Sequence, residues 1–174
     1  RKNPRLVQGF EQRMLGARIP ERADIWIQAA SAGEAYLACL LLEYLNSFLI
    51  RSGQTVKIIL TSNTAQGMEI LTRALDEMNQ QDSMEKHIYA QTAYFPFDKP
   101  SFMEIAVRNI RPGVMVLLEA EIWPGLLRAL KKYGCDILIV NGRITEKSLK
   151  QYLIWPSFWR SLSPRKILAM SEND

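Results

Sequence analysis

The sequence predicts a doubly wound α/β fold on a mostly parallel, Rossmann-like sheet, and three observations carry that expectation. Short runs rich in β-branched residues alternate with stretches of helical periodicity, the pattern of successive βαβ units. Most of the runs are apolar without a break, as strands are when helices cover both faces of a sheet. Glycine and proline fall at the joints, where one element must stop and the next begin. At 174 residues the chain is expected to form a single domain with its own core.

Taken in order, strands are expected over Ile25 to Ala30, Val56 to Ser62, Tyr89 to Phe97, Val114 to Glu119, Ile137 to Asn141 and Ile167 to Met170. The first helix, Glu34 to Arg51, is stopped by Ser52 and Gly53, and the second, Ala65 to about Asn79, follows a run of capping residues. Pro100 opens a helix that ends at Arg111-Pro112-Gly113, and Pro124 lies in the first turn of another that spans Glu121 to Tyr133. Residues 79 to 88 are polar and aperiodic and read as a loop. Thr145 to Leu153 reads as helical, and Trp155, Pro156, Phe158 and Trp159 form an aromatic knot that either packs on the sheet or touches a membrane or ligand. The opening without an initiator Met and the halt just past a strand lead us to expect further sequence on either side.

Composition narrows the function classes. An apolar share of 48% with 23% charged residues excludes disorder. The longest apolar stretch, Ala35 to Ile50, is broken by Glu43 and Asn46 and is shorter than the roughly 20 residues that cross a bilayer, so it reads as a buried helix. Cys39 and Cys135 lie far apart with no metal-ligand spacing, which argues against a disulfide framework or a metal site and for a reducing compartment. Basic residues gather near both ends, at Arg1, Lys2, Arg5, Arg13 and Arg18 and at Lys147, Lys150, Arg160, Arg165 and Lys166. They are either solvated surface or a face for a polyanion. There is no dinucleotide glycine fingerprint and no phosphate-binding P-loop. The lone His87 lies in the polar loop and reads as a solvated histidine.

Ligands of an open parallel sheet bind beyond the carboxyl ends of its strands, so the residues that follow each strand are the candidates. After the first come Ser31, Gly33 and Glu34, a small-residue turn that leads into a helix whose free amides can hold a polar ligand. Glu34 either complements the helix dipole or removes a proton from an attacking hydroxyl; the dipole lowers its pKa, so the second role needs an apolar setting. The second strand ends in Thr61, Ser62, Asn63 and Thr64, more donors than one helix cap requires. The fourth ends in Glu119 and Glu121, and Glu119 belongs to an apolar run where a carboxylate needs a partner. Arg143, after the fifth strand, is either that partner or a contact for a ligand's acid group.

In order, Ile25 to Glu34, Thr61 to Gly67, Tyr94 to Asp98, Glu119 to Pro124 and Asn141 to Ser148 resemble the N-terminal domain of the 3-deoxy-D-manno-octulosonic acid (Kdo) transferases, over about Arg5 to Asp174. The resemblance implies the acceptor half of a GT-B glycosyltransferase. It also implies a membrane anchor upstream of Arg1 and a separate C-terminal domain that binds the donor, CMP-Kdo. The implied reaction is inverting transfer of Kdo to a lipid A precursor in lipopolysaccharide biosynthesis, at the cytoplasmic face of the bacterial inner membrane. No cofactor, metal or nucleic acid is implied, and this chain alone is expected to be inactive. Glu34 matches the family's catalytic base, while Ser31, Gly33, Thr61, Ser62, Thr64, Glu119, Glu121 and Arg143 are expected around the acceptor. The chain departs from the family at Gln28, Ala120 and Gly125, where His, Thr and Asn are common, which bears on acceptor preference. The rival reading is a non-catalytic Rossmann-like module that docks on anionic lipid or protein.

Overall fold

A computed structural model describes residues 7–16, 21–80, 86–119, 122–143, 149–150, 153–154 and 156–169. Six strands form one sheet in the order β3-β2-β1-β4-β5-β6, all parallel. They are β1 (Ile25–Ala29), β2 (Val56–Ser62), β3 (Ile88–Tyr94), β4 (Val114–Leu118), β5 (Asp136–Gly142) and β6 (Lys166–Ala169). The helices are α1 (Phe10–Arg13), α2 (Ala32–Ser52), α3 (Ala65–Gln80), α4 (Pro100–Ile110), α5 (Pro124–Lys132) and α6 (Pro156–Ser161). The expected doubly wound α/β fold is therefore what the chain adopts, with its topological switch between β1 and β4.

The pleat explains why the central strands are apolar throughout. Trp26, Ile59, Met115 and Leu117 point to one face and meet Met103, Val107, Leu126 and Leu130 of α4 and α5. Ile27, Ile58, Leu60, Val116 and Leu118 point to the other and meet Ala35, Ala38, Leu42 and Leu71 of α2 and α3. Two cores thus hold the central strands from both sides and fix the register that sets the carboxyl edge.

Several boundaries differ from expectation for physical reasons. β3 stops at Tyr94, because Pro96 has no N–H for a ladder and the Phe97 N–H turns to the carbonyl of Arg13 (3.1 Å). α5 begins at Pro124, where the carboxylate of Asp98 accepts from the Gly125 and Leu126 amides at 3.0 and 2.8 Å. The helix expected to be buried is so only on its inner face: Tyr36, Leu40, Tyr44 and Phe48 of α2 are exposed, because the helix is apolar all round while the sheet covers one side. By length and composition α2 could cross a membrane; here it packs on α3 and β1. His87, just before β3, is buried at 7% exposure, not solvated, with Nδ1 2.9 Å from the carbonyl of Gln54, which precedes β2. Part of the aromatic knot is α6, while Trp155 and much of the helix expected over Thr145 to Leu153 lie outside the described residues.

Candidate functional site

The residues that follow β1, β2 and β4 come together at the carboxyl edge, on either side of the switch point. Ser31 caps α2, its Oγ accepting from the Glu34 amide at 3.4 Å, and Glu34 reaches back to accept from the Ala30 N–H at 2.7 Å. This Ser-x-x-Glu arrangement is close to a capping box, so the dipole and cap reading of Glu34 is real. The Ser31 hydroxyl also lies 2.9 Å from the second carboxylate oxygen and donates to it.

Yet the cap does not set the proton affinity of Glu34. The residue is only 4% exposed, and burial raises its pKa above the ordinary carboxylate value. The Ala30 and Ser31 hydrogen bonds pull the other way, and the negative charge of Glu119 adds to the rise. The burial that a base role requires is present. Glu119 follows β4 in a left-handed conformation, φ 58°, which a non-glycine residue adopts only when its surroundings hold it there. Its N–H bonds the Val140 carbonyl at 2.9 Å, and this ties the β4 loop to β5.

The other candidates separate. Thr61 is buried: its hydroxyl donates to Gln28 Oε1 at 2.5 Å and accepts from Trp26 Nε1 at 2.8 Å. Ser62 is also buried and accepts from the Thr64 amide at 3.3 Å, while Thr64 caps α3 through Gly67 at 3.0 Å. The surplus of donors after β2 therefore has internal work to do, and Thr64 alone of the three reaches open space. Arg143 is exposed and makes no ion pair with Glu119 among the described residues. Glu121 lies outside them.

A hollow of about 660 Å3 opens between the starts of α2 and α3, lined by Ser31, Ala32, Gly33, Thr64, Ala65 and Gln66, with Gln8 as the far wall. Free amides of two helix starts border it, a setting for hydroxyl or anionic groups. Glu34 lies behind Ser31 and does not line it.

Sequence reading missed the wall that contains Gln8. Arg13 is buried and donates to the carbonyls of Gln8 (3.3 Å), Asn63 (2.7 Å) and Phe95 (3.4 Å), with its guanidinium 4.7 Å over the Tyr94 ring. Asn63 in turn accepts from Gln28 at 3.2 Å, so one network joins the N-terminal segment to the centre of the sheet. The only visible signal was a basic cluster, which does not distinguish a buried arginine from a solvated one.

The sequence profile described as 3-Deoxy-D-manno-octulosonic-acid transferase (kdotransferase) matches residues 8–174. A protein named 3-deoxy-D-manno-octulosonic acid transferase from Rickettsia conorii is 31% identical over 155 residues, 88% of this chain and 30% of that protein. Its namesake from Rickettsia felis is 30% identical over 155 residues, again 88% of this chain and 30% of the relative. A Bifunctional glycosyltransferase/methyltransferase from Fusobacterium nucleatum is 27% identical over 150 residues, 86% of this chain and 20% of that protein. The chain thus spans about a third or less of the curated relatives it matches.

Proposed function

The chain belongs to the family of 3-deoxy-D-manno-octulosonic acid transferases, and from that premise we propose that it is the acceptor-binding half of an inverting glycosyltransferase of lipopolysaccharide biosynthesis. The donor is CMP-Kdo, held by a second domain, and the acceptor is a hydroxyl of a lipid A precursor. The acceptor oxygen bonds to the anomeric carbon of Kdo, the bond from that carbon to the CMP phosphate oxygen breaks, and its electron pair leaves with CMP. The acceptor's proton passes to Glu34. No metal and no cofactor takes part.

The observation that carries this reading is the buried Glu34 carboxylate at the switch point. Its proton affinity is raised by burial and by Glu119, while its position is fixed by Ala30 and Ser31. A module that merely docks on a surface has no use for two carboxylates in mutual repulsion at one sheet edge. The exposed apolar residues of α2, Tyr36, Leu40, Tyr44 and Phe48, support peripheral contact with a membrane surface, which this reading assigns to the cytoplasmic face of the inner membrane.

The test is transfer from CMP-Kdo by the full-length enzyme that contains this chain. Glu34→Gln lowers kcat by about 10² to 10⁴-fold, the span of a lost general base, while its circular dichroism matches the wild type. Turnover near the wild-type level in that variant removes Glu34 from the mechanism.

A further inference from the structure

We infer that Ser31 is a catalytic residue, a proton relay between the attacking hydroxyl of the acceptor and the buried carboxylate of Glu34. The inference rests on the transferase reading above and assigns a role that reading leaves open. Three observations lead to it. Glu34 is 4% exposed and does not line the hollow at the edge of the sheet. Ser31 lines that hollow and is itself exposed. Its hydroxyl lies 2.9 Å from Glu34 Oε1, within reach for direct proton transfer.

Glu34 cannot easily come forward to meet a substrate. Its Oε2 is held by the Ala30 amide at 2.7 Å, and it lies in the first turn of a helix whose next residue, Ala35, is fully buried. A hydroxyl between a buried base and the substrate supplies the missing step. Ser31 Oγ takes the proton of the acceptor hydroxyl as its own proton moves to Glu34 Oε1. The acceptor oxygen's electron pair forms the bond to the anomeric carbon, and CMP leaves with the pair from the broken bond. Ser31 ends neutral, and Glu34 ends protonated.

Ser31 is also the N-cap of α2, so a variant must separate capping from relay. Asparagine caps a helix about as well as serine, and glycine is only slightly worse, but neither offers a hydroxyl. In the full-length enzyme Ser31→Asn and Ser31→Gly should keep the wild-type melting temperature within a few degrees. Both should lose about 10² in kcat, with the KM for CMP-Kdo unchanged. Ser31→Thr, which keeps cap and hydroxyl, should retain transfer within about tenfold of the wild type. The wild-type proton inventory in mixed H2O and D2O should be curved, with two protons in motion.

Wild-type transfer and its loss in Glu34→Gln test the functional reading. With those in hand, near-wild-type kcat in Ser31→Asn or Ser31→Gly overturns the relay and leaves that reading standing. Should one of the two fail to fold, the other decides.

Discussion

At the scale of single residues, Glu34 joins two demands that its place in the sequence left in balance. A carboxylate in a helix's first turn invites a low pKa, whereas burial raises it, and the structure shows that burial is the larger effect. The sequence could not reveal this, because exposure depends on how α2 lies against β1 and on the neighbouring β4 loop. Stability follows from the same imbalance. The folded chain holds the Glu34 proton to higher pH than the unfolded chain does, so folding loses stability as pH rises from the ordinary carboxylate range through the raised pKa. Glutamine can keep the Ala30 and Ser31 hydrogen bonds without carrying charge. Glu34→Gln should therefore gain in melting temperature relative to the wild type as pH rises from the ordinary carboxylate range, the gap widening until the raised pKa is passed and staying constant above it. A gap that stays flat with pH would show that Glu34 is not held protonated by its surroundings. If Glu34 is the base, as proposed, the rising limb of kcat/KM in the full-length enzyme should lie above the ordinary carboxylate range, since a base works only when deprotonated.

Among elements, strand and helix types were legible because apolar runs, caps and prolines are local signals. The ends that moved are those fixed by distant partners. α5 starts where Asp98, from the loop after β3, accepts two amides, and burial raises the pKa of that carboxyl despite both bonds. Gly125 makes the contact possible: a Cβ there would stand 2.6 Å from Asp98 Oδ1. Removal of the cap by Asp98→Ala should cost about 1–2 kcal/mol and lower the melting temperature by roughly 2–8 °C. Thermal denaturation measures this directly, and an unchanged midpoint would mean that the α5 amides find water at no cost. The N-terminal segment was illegible for a similar reason. Only the folded sheet brings the carbonyls of Asn63 and Phe95 to one place, and only there does Arg13 become a buried clasp that holds Gln8 against the hollow.

For the molecule as a whole, the alternation that predicted a doubly wound sheet also predicted at which edge the candidate residues would gather. Ser31, Gly33, Thr64, Glu34 and Glu119 lie at that edge, whereas Thr61 and Ser62 are absorbed into the sheet. Pairing of side chains across strands, such as Thr61 with Gln28, was not legible, because it depends on register, which the sequence of one strand does not state. On the proposed reading that edge supplies the base and the hollow for one substrate, yet glycosyl transfer needs a second substrate held in line with the first. The chain spans about 30% of the Rickettsia conorii relative, which leaves ample sequence there for a donor domain. Residues 1 to 174 alone should accordingly bind a lipid A precursor in micelles and yet give no labelled product from radiolabelled CMP-Kdo over hours. Addition of the remaining domain in trans should restore product if the two halves dock. Product above the no-enzyme background from the fragment alone would put a donor site on this sheet. The division of labour proposed for the two domains would then have to be abandoned.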